Sequence, residues 1–209
     1  MSKHTPRKRA SKEKHDHNSH PSCLRIIGGK WRGRKIAFTE VDGLRPTSDR
    51  VRETLFNWLA PSITGARVLD LFAGSGVLSF EALSRGATEA TQIEASSIAA
   101  KQLKMAAQTL QTNHCHTINT KAEIWLDQHR DQSGYDVVFL DPPFANELLP
   151  DLLPQLEASG CLKKNTLIYV ESGSVLPDSI TPPEWSLHRH KKAGQVFYYL
   201  FERGGSEDL

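Results

Sequence analysis

From residue 68 onward, two patterns of apolar residues alternate along this chain. Short apolar runs predict strands, and longer segments with apolar positions three or four residues apart predict helices. A strand followed by a helix, repeated several times, is typical of an α/β domain with a mostly parallel sheet. The predicted strands span residues 68–71, 88–94, 116–119, 135–140, 166–171, 185–190 and 196–201. The predicted helices span residues 77–83, 96–111 and 147–158.

The segment before residue 60 has a different organisation. Two β-rich pieces, 24–27 and 35–38, flank a glycine-containing stretch and predict a hairpin or tight loop. A helix follows, with Asp49 in its first turn and one apolar stripe formed by Val51, Leu55, Trp58 and Leu59. We therefore expect three parts: a disordered basic tail (1–22), a hairpin and helix module (23–60) and an α/β domain (61–209).

The formal net charge of +2 conceals an uneven distribution. Residues 1–52 hold fourteen Lys and Arg against five Asp and Glu, whereas the remainder holds twelve against nineteen. A basic front and an acidic body suggest that the front meets a polyanion such as RNA. The alternative is a tail that is merely solvated.

Cysteine usage and hydropathy indicate the compartment. Cys23, Cys115 and Cys161 form no CxxC pair, so neither a disulfide framework nor a zinc site is expected. His15 and His17 lack further ligand residues nearby, and we expect no metal. No stretch approaches the roughly 18 apolar residues of a membrane span, and the N-terminus lacks the apolar core of a secretory signal. A cytoplasmic protein is expected, with a mitochondrial presequence as a weaker alternative.

The strongest chemical signal is the run at 68–78, in which an apolar strand meets Asp70 and then breaks into glycines. Gly74 and Gly76 allow a tight turn and a close approach of the backbone to a ligand. A dinucleotide phosphate would be repelled by Asp70, whereas S-adenosylmethionine carries a cationic sulfonium and an ammonium group. The turn therefore favours S-adenosylmethionine, and the alternative is a structural turn that happens to contain glycines.

Two further motifs follow in order. Glu94 ends the next predicted strand, where a Rossmann-like fold presents an acid to ribose hydroxyls. The sequence Asp-Pro-Pro-Phe at 141–144 comes directly after the strand predicted at 135–140. With the glycine turn, these motifs resemble the class I S-adenosylmethionine-dependent methyltransferases that methylate amines. The alternative is a rigid turn with Phe144 in the core.

The resemblance sharpens over residues 24–203. The Arg-Ile-Ile-Gly-Gly run, the Trp-Arg-Gly-Arg run, the segment 45–56, the glycine turn and the Asp-Pro-Pro-Phe motif are together similar to the bacterial 16S rRNA (guanine-N2)-methyltransferases. The resemblance implies a Rossmann-like class I methyltransferase fold: a seven-stranded, mostly parallel sheet with an antiparallel C-terminal hairpin and a small N-terminal hairpin and helix module. It implies a catalytic segment formed by Asp141, Pro142, Pro143 and Phe144. It implies a cofactor site formed by Asp70, Phe72, Ala73, Gly74, Ser75, Gly76, Glu94, Lys121 and Ala122.

The basic front module is the expected RNA-binding surface. Cations around an aromatic ring suit phosphate contact and base stacking, and the candidates are Lys30, Trp31, Arg32, Arg34, Arg45, Arg50 and Arg52. In the alternative, Trp31 packs on the body and the cations are only solvated. The family implies a monomer acting on 16S rRNA in an assembled or assembling small subunit. Two other functions stay open: an adenine-N6 methyltransferase and a non-catalytic RNA-binding assembly factor.

Overall fold

The computed structural model describes residues 22–38, 47–129, 134–143 and 148–204. Residues 1–21 of the predicted tail lie outside these ranges, as do two predicted site residues, Arg45 and Phe144. The strands are β1 Ser22–Arg25, β2 Lys35–Phe38, β3 Arg67–Asp70, β4 Glu89–Glu94, β5 Cys115–Asn119, β6 Tyr135–Leu140, β7 Leu162–Ser172, β8 Trp185–Ala193 and β9 Val196–Arg203. The α-helices are α1 Asp49–Trp58, α2 Val77–Ser84, α3 Ser97–Thr109, α4 Ala122–Gln128 and α5 Leu149–Ala158.

The main sheet has the strand order β5-β4-β3-β6-β7-β9-β8. Strands β3 to β7 are parallel, and β9 and β8 close one edge as an antiparallel hairpin. This confirms the predicted fold class. The order of the strands reverses between β3 and β6, and ligands of such sheets bind at the carboxyl ends of the strands at that reversal. No helix among the described residues is long and apolar enough to cross a membrane.

The N-terminal module shares a hydrophobic core with the sheet. Strands β1 and β2 form the predicted hairpin, and Ile26 and Leu55 pack in the same apolar cluster as Val68 of β3 and Phe80 of α2. A second cluster covers the opposite face and includes Leu126 of α4, with α5 beside it. The boundary at residue 60 stays a prediction, but the two parts are joined by one core.

Two elements differ from the sequence prediction. Helix α4 was missed because its seven residues are too few for a clear apolar period. Strand β7 begins at Leu162 instead of residue 166, and its register against β6 shifts between Tyr135 and Val137. Polar residues at 163–165, with Asn165 at a positive φ of 64°, interrupt the pattern that would have revealed the longer strand.

Candidate active site

The two central motifs meet where β3 and β6 lie side by side. The register pairs Asp70 with Phe139, and the N–H of Leu71 donates to the carbonyl of Phe139 at 3.1 Å. Asp70 ends β3, and Asp141 follows the last residue of β6. The acid before the glycine turn and the acid of the Asp-Pro-Pro segment therefore occupy neighbouring strand ends at the same edge of the sheet.

The glycine turn requires glycine at its last position. Gly76 caps α2 with a φ of 75°, in the left-handed region that side chains rarely adopt. A Cβ atom there would lie 2.7 Å from a ring carbon of Phe80 and closer still to Leu103. The turn thus depends on glycine for its conformation and for the packing of α2 against α3.

Glu94 fastens the turn to the end of β4. One carboxylate oxygen accepts from the N–H of Gly74 at 2.8 Å, and the other accepts from the N–H of Ser96 at 2.7 Å. The side chain is only partly buried. Each carboxylate oxygen can accept a further hydrogen bond, so Glu94 retains capacity for a ligand with hydroxyl groups.

Asp70 is buried with one acceptor unused. Its Oδ2 accepts from the hydroxyl of Ser79 at 2.5 Å, whereas its Oδ1 has no hydrogen-bond partner among the described residues. The pKa of Asp70 is raised to about 7, chiefly by burial; the Ser79 hydroxyl and the nearby main-chain N–H groups of Phe72 and Ser79 offset part of the rise, and the charge of Glu94 adds to it. A buried acceptor without a partner is costly. The residue therefore suits a ligand that brings a positive charge or a donor to the turn.

The remaining predicted cofactor residues line the same edge. Phe72, Ala73 and Ser75 belong to the turn, Lys121 lies between β5 and α4, and Ala122 is the first residue of α4. Lys121 is exposed and Ala122 is buried, so Ala122 can offer a ligand only its main chain. The structure thus brings all the predicted cofactor residues to the carboxyl ends of three adjacent strands, β3, β4 and β5. Across the described ranges, no three His, Cys, Asp or Glu side chains are arranged to hold a metal ion.

The Asp-Pro-Pro segment borders a large cavity. Asp141 is partly buried, and its Oδ2 accepts from the hydroxyl of Thr47 at 3.2 Å. The cavity measures about 990 Å³, at the upper end of the roughly 300–1,000 Å³ of ligand pockets. Its walls are Thr47, Pro142 and Pro143, the end of β7 with its following loop, and the turn between β8 and β9. The space can admit a nucleobase.

Glu171 is a site residue that the sequence analysis missed. It lies near the end of β7, lines the cavity, and accepts a 2.7 Å hydrogen bond from the hydroxyl of Tyr169. The register pairs Leu140 with Val170, so Asp141 and Glu171 are the next residues along adjacent strands. Burial raises the pKa of both acids, and the charge of Glu171 raises that of Asp141 further. The sequence did contain a signal for this residue, because Glu171 is an acid at the end of the strand predicted at 166–171. That strand lies beside β6 in the sheet.

Two predicted RNA-binding residues need correction. Trp31 is 7% exposed and belongs to the hydrophobic core, so its ring packs on the body and is not free to stack on a base. Its backbone N–H also donates to the hydroxyl of Ser84 at 2.9 Å. Arg52 is fully buried, pairs with Asp49 at 2.6 Å and with Glu81 at 3.6 Å, and is not available to a phosphate. Both residues hold the module onto the domain.

The three cations of the hairpin tip are exposed but lie far from the cavity. Lys30 and Arg32 are at the tip of the hairpin, and Arg34 donates to the carbonyl of Thr109 at 2.7 Å. Thr109 and Ser84, to which the tip is bonded, end helices that run from the carboxyl edge of the sheet to its amino edge. The tip therefore sits at the edge opposite the site. Arg50 is exposed at the start of α1, close to the cavity.

Comparison with known proteins agrees with this geometry. A family model described as conserved hypothetical protein 95 matches residues 24–202. Ribosomal RNA small subunit methyltransferase D of Escherichia coli strain K12 is 49% identical over 180 residues, which are 86% of this chain and 90% of that protein. The chain therefore belongs to the ribosomal RNA small subunit methyltransferase D family.

Other members of the ribosomal RNA small subunit methyltransferase D family match over similar lengths. The protein of that name from Haemophilus influenzae is 47% identical over 181 residues, covering 86% of this chain and 93% of the relative. The solved structure of the Escherichia coli protein yhhF matches with a TM-score of 0.79 at 49% identity, over 88% of this chain and 100% of that one. The family resemblance predicted from the motifs is confirmed.

Proposed function

We propose that this protein transfers a methyl group from S-adenosylmethionine to the exocyclic N2 amine of a guanine in 16S rRNA, within an assembled or assembling small subunit. One observation carries the proposal: the glycine turn with Asp70 and Glu94 meets Asp141 and Pro142 at one edge of the sheet, beside a cavity large enough for a base. The names of the relatives, which refer to methylation of small-subunit rRNA, support the same substrate.

The residues at the ends of β3, β4 and β5 fit the cofactor. When bound, S-adenosylmethionine supplies an electrophilic methyl group on a sulfonium centre. The unused Oδ1 of Asp70 provides negative charge and an acceptor for the cationic end. Glu94 has acceptor capacity for both ribose hydroxyls, and the main chain at Lys121 and Ala122 lies where the adenine is expected.

Asp141 and Pro142 would position the amine. An exocyclic amine is a poor nucleophile because its lone pair is delocalised into the ring. The Asp141 carboxylate and the Pro142 carbonyl can accept the two amine hydrogens. This arrangement takes the nitrogen lone pair out of conjugation with the ring and directs it at the methyl group. Thr47 holds one oxygen of Asp141, and two consecutive prolines stiffen the segment that carries the carbonyl. Phe144 is proposed to stack on the base. As the nitrogen–methyl bond forms, the sulfur–methyl bond would break and S-adenosylhomocysteine would leave, and the nitrogen would then give its extra proton to Asp141 or to water.

Glu171 favours guanine over adenine as the target. Guanine carries a donor at N1 next to its N2 amine, whereas adenine carries an acceptor at N1 next to its amine. In its ionised form, Glu171 can accept from the guanine N1–H, whereas adenine offers this carboxylate no donor at N1. Because a paired base cannot enter the cavity, the target must be flipped out or unpaired.

Titration calorimetry with S-adenosylhomocysteine, followed by methyl incorporation into small subunits from a strain lacking this gene, tests the proposal. We expect both binding and incorporation. Binding without incorporation would favour the alternative of a non-catalytic assembly factor. An absence of both would contradict the proposed methyltransferase activity.

Glu94→Ala should weaken S-adenosylmethionine binding at least tenfold. The reason is the loss of hydrogen bonds to a charged acceptor, which typically contribute about 1.5–3 kcal/mol each. Calorimetry measures the change. Glu89→Ala, at the opposite end of the same strand, is the control and should bind normally. Unchanged affinity of the Glu94 variant would exclude Glu94 from the site.

Cofactor affinity should rise with pH through neutrality because Asp70 must ionise to attract a cation. With the pKa of Asp70 raised to about 7, its ionised fraction grows between pH 6 and pH 8, and affinity should grow roughly tenfold. Above pH 8 the affinity should level off. Asp70→Asn should bind weakly and show a flat profile in the same titrations, and a wild-type slope in that variant would contradict the role of Asp70.

A further inference from the structure

Strand β8 presents an unusual run of cations at the edge of the main sheet. Residues 188–192 read His-Arg-His-Lys-Lys, and all five side chains are exposed. Arg189, Lys191 and Lys192 form no ion pair with any acid of the described chain. Three permanent positive charges thus stand within four residues without an ion-pair partner in the described part of the chain.

Protection of a free sheet edge does not account for the whole run. Edge strands often carry a charged residue that discourages pairing with another chain. The opposite edge, β5, has His116 as its sole cationic residue, and that residue faces Glu89 at 3.6 Å. The concentration of like charge on β8 therefore calls for a binding partner of opposite sign.

The run leads to the cavity. Strand β9 is antiparallel to β7 and pairs Phe197 with Ser172, which places the β8–β9 turn at the carboxyl edge of the sheet. Residues 193–196 of that turn line the cavity beside Glu171. At about 3.3 Å per residue, Arg189 to Lys192 covers about 10 Å of the approach to the cavity.

Two lysines of the run make cation–π contacts with aromatic rings, and these contacts do not neutralise their charge. The Nζ of Lys191 lies 5.9 Å from the ring centroid of Trp58, and the Nζ of Lys192 lies 4.5 Å from that of Phe197. Both rings are partly buried, whereas both lysines are exposed, so the lysines keep their charge for a phosphate. Contacts of this kind are modest at exposed sites, about 0.5–1 kcal/mol. The two lysines lie on opposite faces of the hairpin, because their paired residues, Tyr198 and Phe197, alternate between faces.

We infer that this β8 stripe, His188 to Lys192, binds the phosphate backbone of the RNA strand whose target nucleotide enters the cavity. The inference rests on the proposed function and adds the surface that delivers the substrate. The hairpin tip with Lys30, Arg32 and Arg34 lies at the other edge of the sheet. The stripe is therefore the described basic surface best placed to hold RNA while its base occupies the site.

The test replaces Arg189, Lys191 and Lys192 together by glutamine. Each lost phosphate contact lowers the slope of log affinity against log salt by about 0.7 for single-stranded RNA, so the slope should fall by about 2. The control replaces Lys101, Lys104 and Lys164, three exposed lysines away from the cavity, and changes the net charge equally. Filter binding across a salt series is measured with protein-free 16S rRNA and with unmethylated small subunits.

We expect the slope of log affinity against log salt to be smaller for the stripe variant with both RNA samples. The variant should bind S-adenosylhomocysteine normally and should reach the wild-type turnover rate at saturating concentrations of particles. A slope equal to that of the control variant would overturn the inference. Loss with particles but not with protein-free rRNA would assign the stripe to an acidic protein surface, which also overturns it. Failure of the wild-type protein to methylate particles would instead contradict the proposed function, while the salt series would still decide the role of the stripe.

Discussion

Asp141→Ala is expected to slow methyl transfer by about 10²- to 10³-fold while cofactor affinity stays within about twofold. The carboxylate is proposed to hold the target amine, and its side-chain hydrogen bond is made with Thr47, which is not one of the predicted cofactor residues. Single-turnover incorporation at saturating cofactor measures the rate, and titration with S-adenosylhomocysteine measures binding. Turnover at the wild-type rate would contradict the mechanism.

Asp141→Asn separates two roles of this carboxyl group. Asparagine keeps one acceptor for the amine and for Thr47 but cannot take up a proton. If Asp141 only positions the amine, the Asn variant should retain much more activity than the Ala variant. If the carboxylate must also remove the proton, the two variants should be equally slow.

Gly76→Ala is expected to destabilise the protein by about 2–4 kcal/mol, from left-handed backbone strain and from overpacking against Phe80 and Leu103. In a chain of this size, the melting temperature should fall by roughly 5–15 °C. Gly65→Ala is the matched control, because Gly65 has a φ of 82° with no atom within 4 Å of the added methyl group. Thermal unfolding of both variants isolates the steric part, and equal losses would show that packing does not require Gly76.

The main acids of the site were predictable because local patterns placed them. Asp70 lies within the apolar run at 68–71, Glu94 ends a second run, and Asp141 follows a third. Carboxyl ends of parallel strands share one edge of a sheet, so three correctly predicted strands bring three acids together. The strand order, which decides which acids are neighbours, was not predicted from the sequence and is seen only in the folded sheet.

Contacts between distant parts of the chain could not be predicted in the same way. Thr47 and Asp141 are hydrogen-bonded across 94 residues of sequence. Arg52 looked like a surface cation, yet Glu81 of a later helix provides its buried counter-charge. No local pattern distinguishes a buried, paired arginine from an exposed one.

The position of the basic surface could not be predicted from the sequence either. Charge counting directed attention to the front of the chain, where the cations at 30–34 proved to lie at the far edge of the sheet. In the sequence analysis, residues 188–190 lie at the end of a predicted strand, and Lys191 and Lys192 have no assigned role. The place of this run beside the cavity depends on β9 pairing with β7 and β8 pairing with β9, which only the folded sheet shows.

The most direct test of the central claim is to identify the methylated nucleoside. Small subunits from a strain lacking this gene are incubated with the protein and isotopically labelled S-adenosylmethionine, and digests of the 16S rRNA are analysed by mass spectrometry. We predict labelled N2-methylguanosine in a single oligonucleotide, and none with Asp141→Ala. Labelled N6-methyladenosine, or no label from a protein that binds the cofactor, would contradict the account.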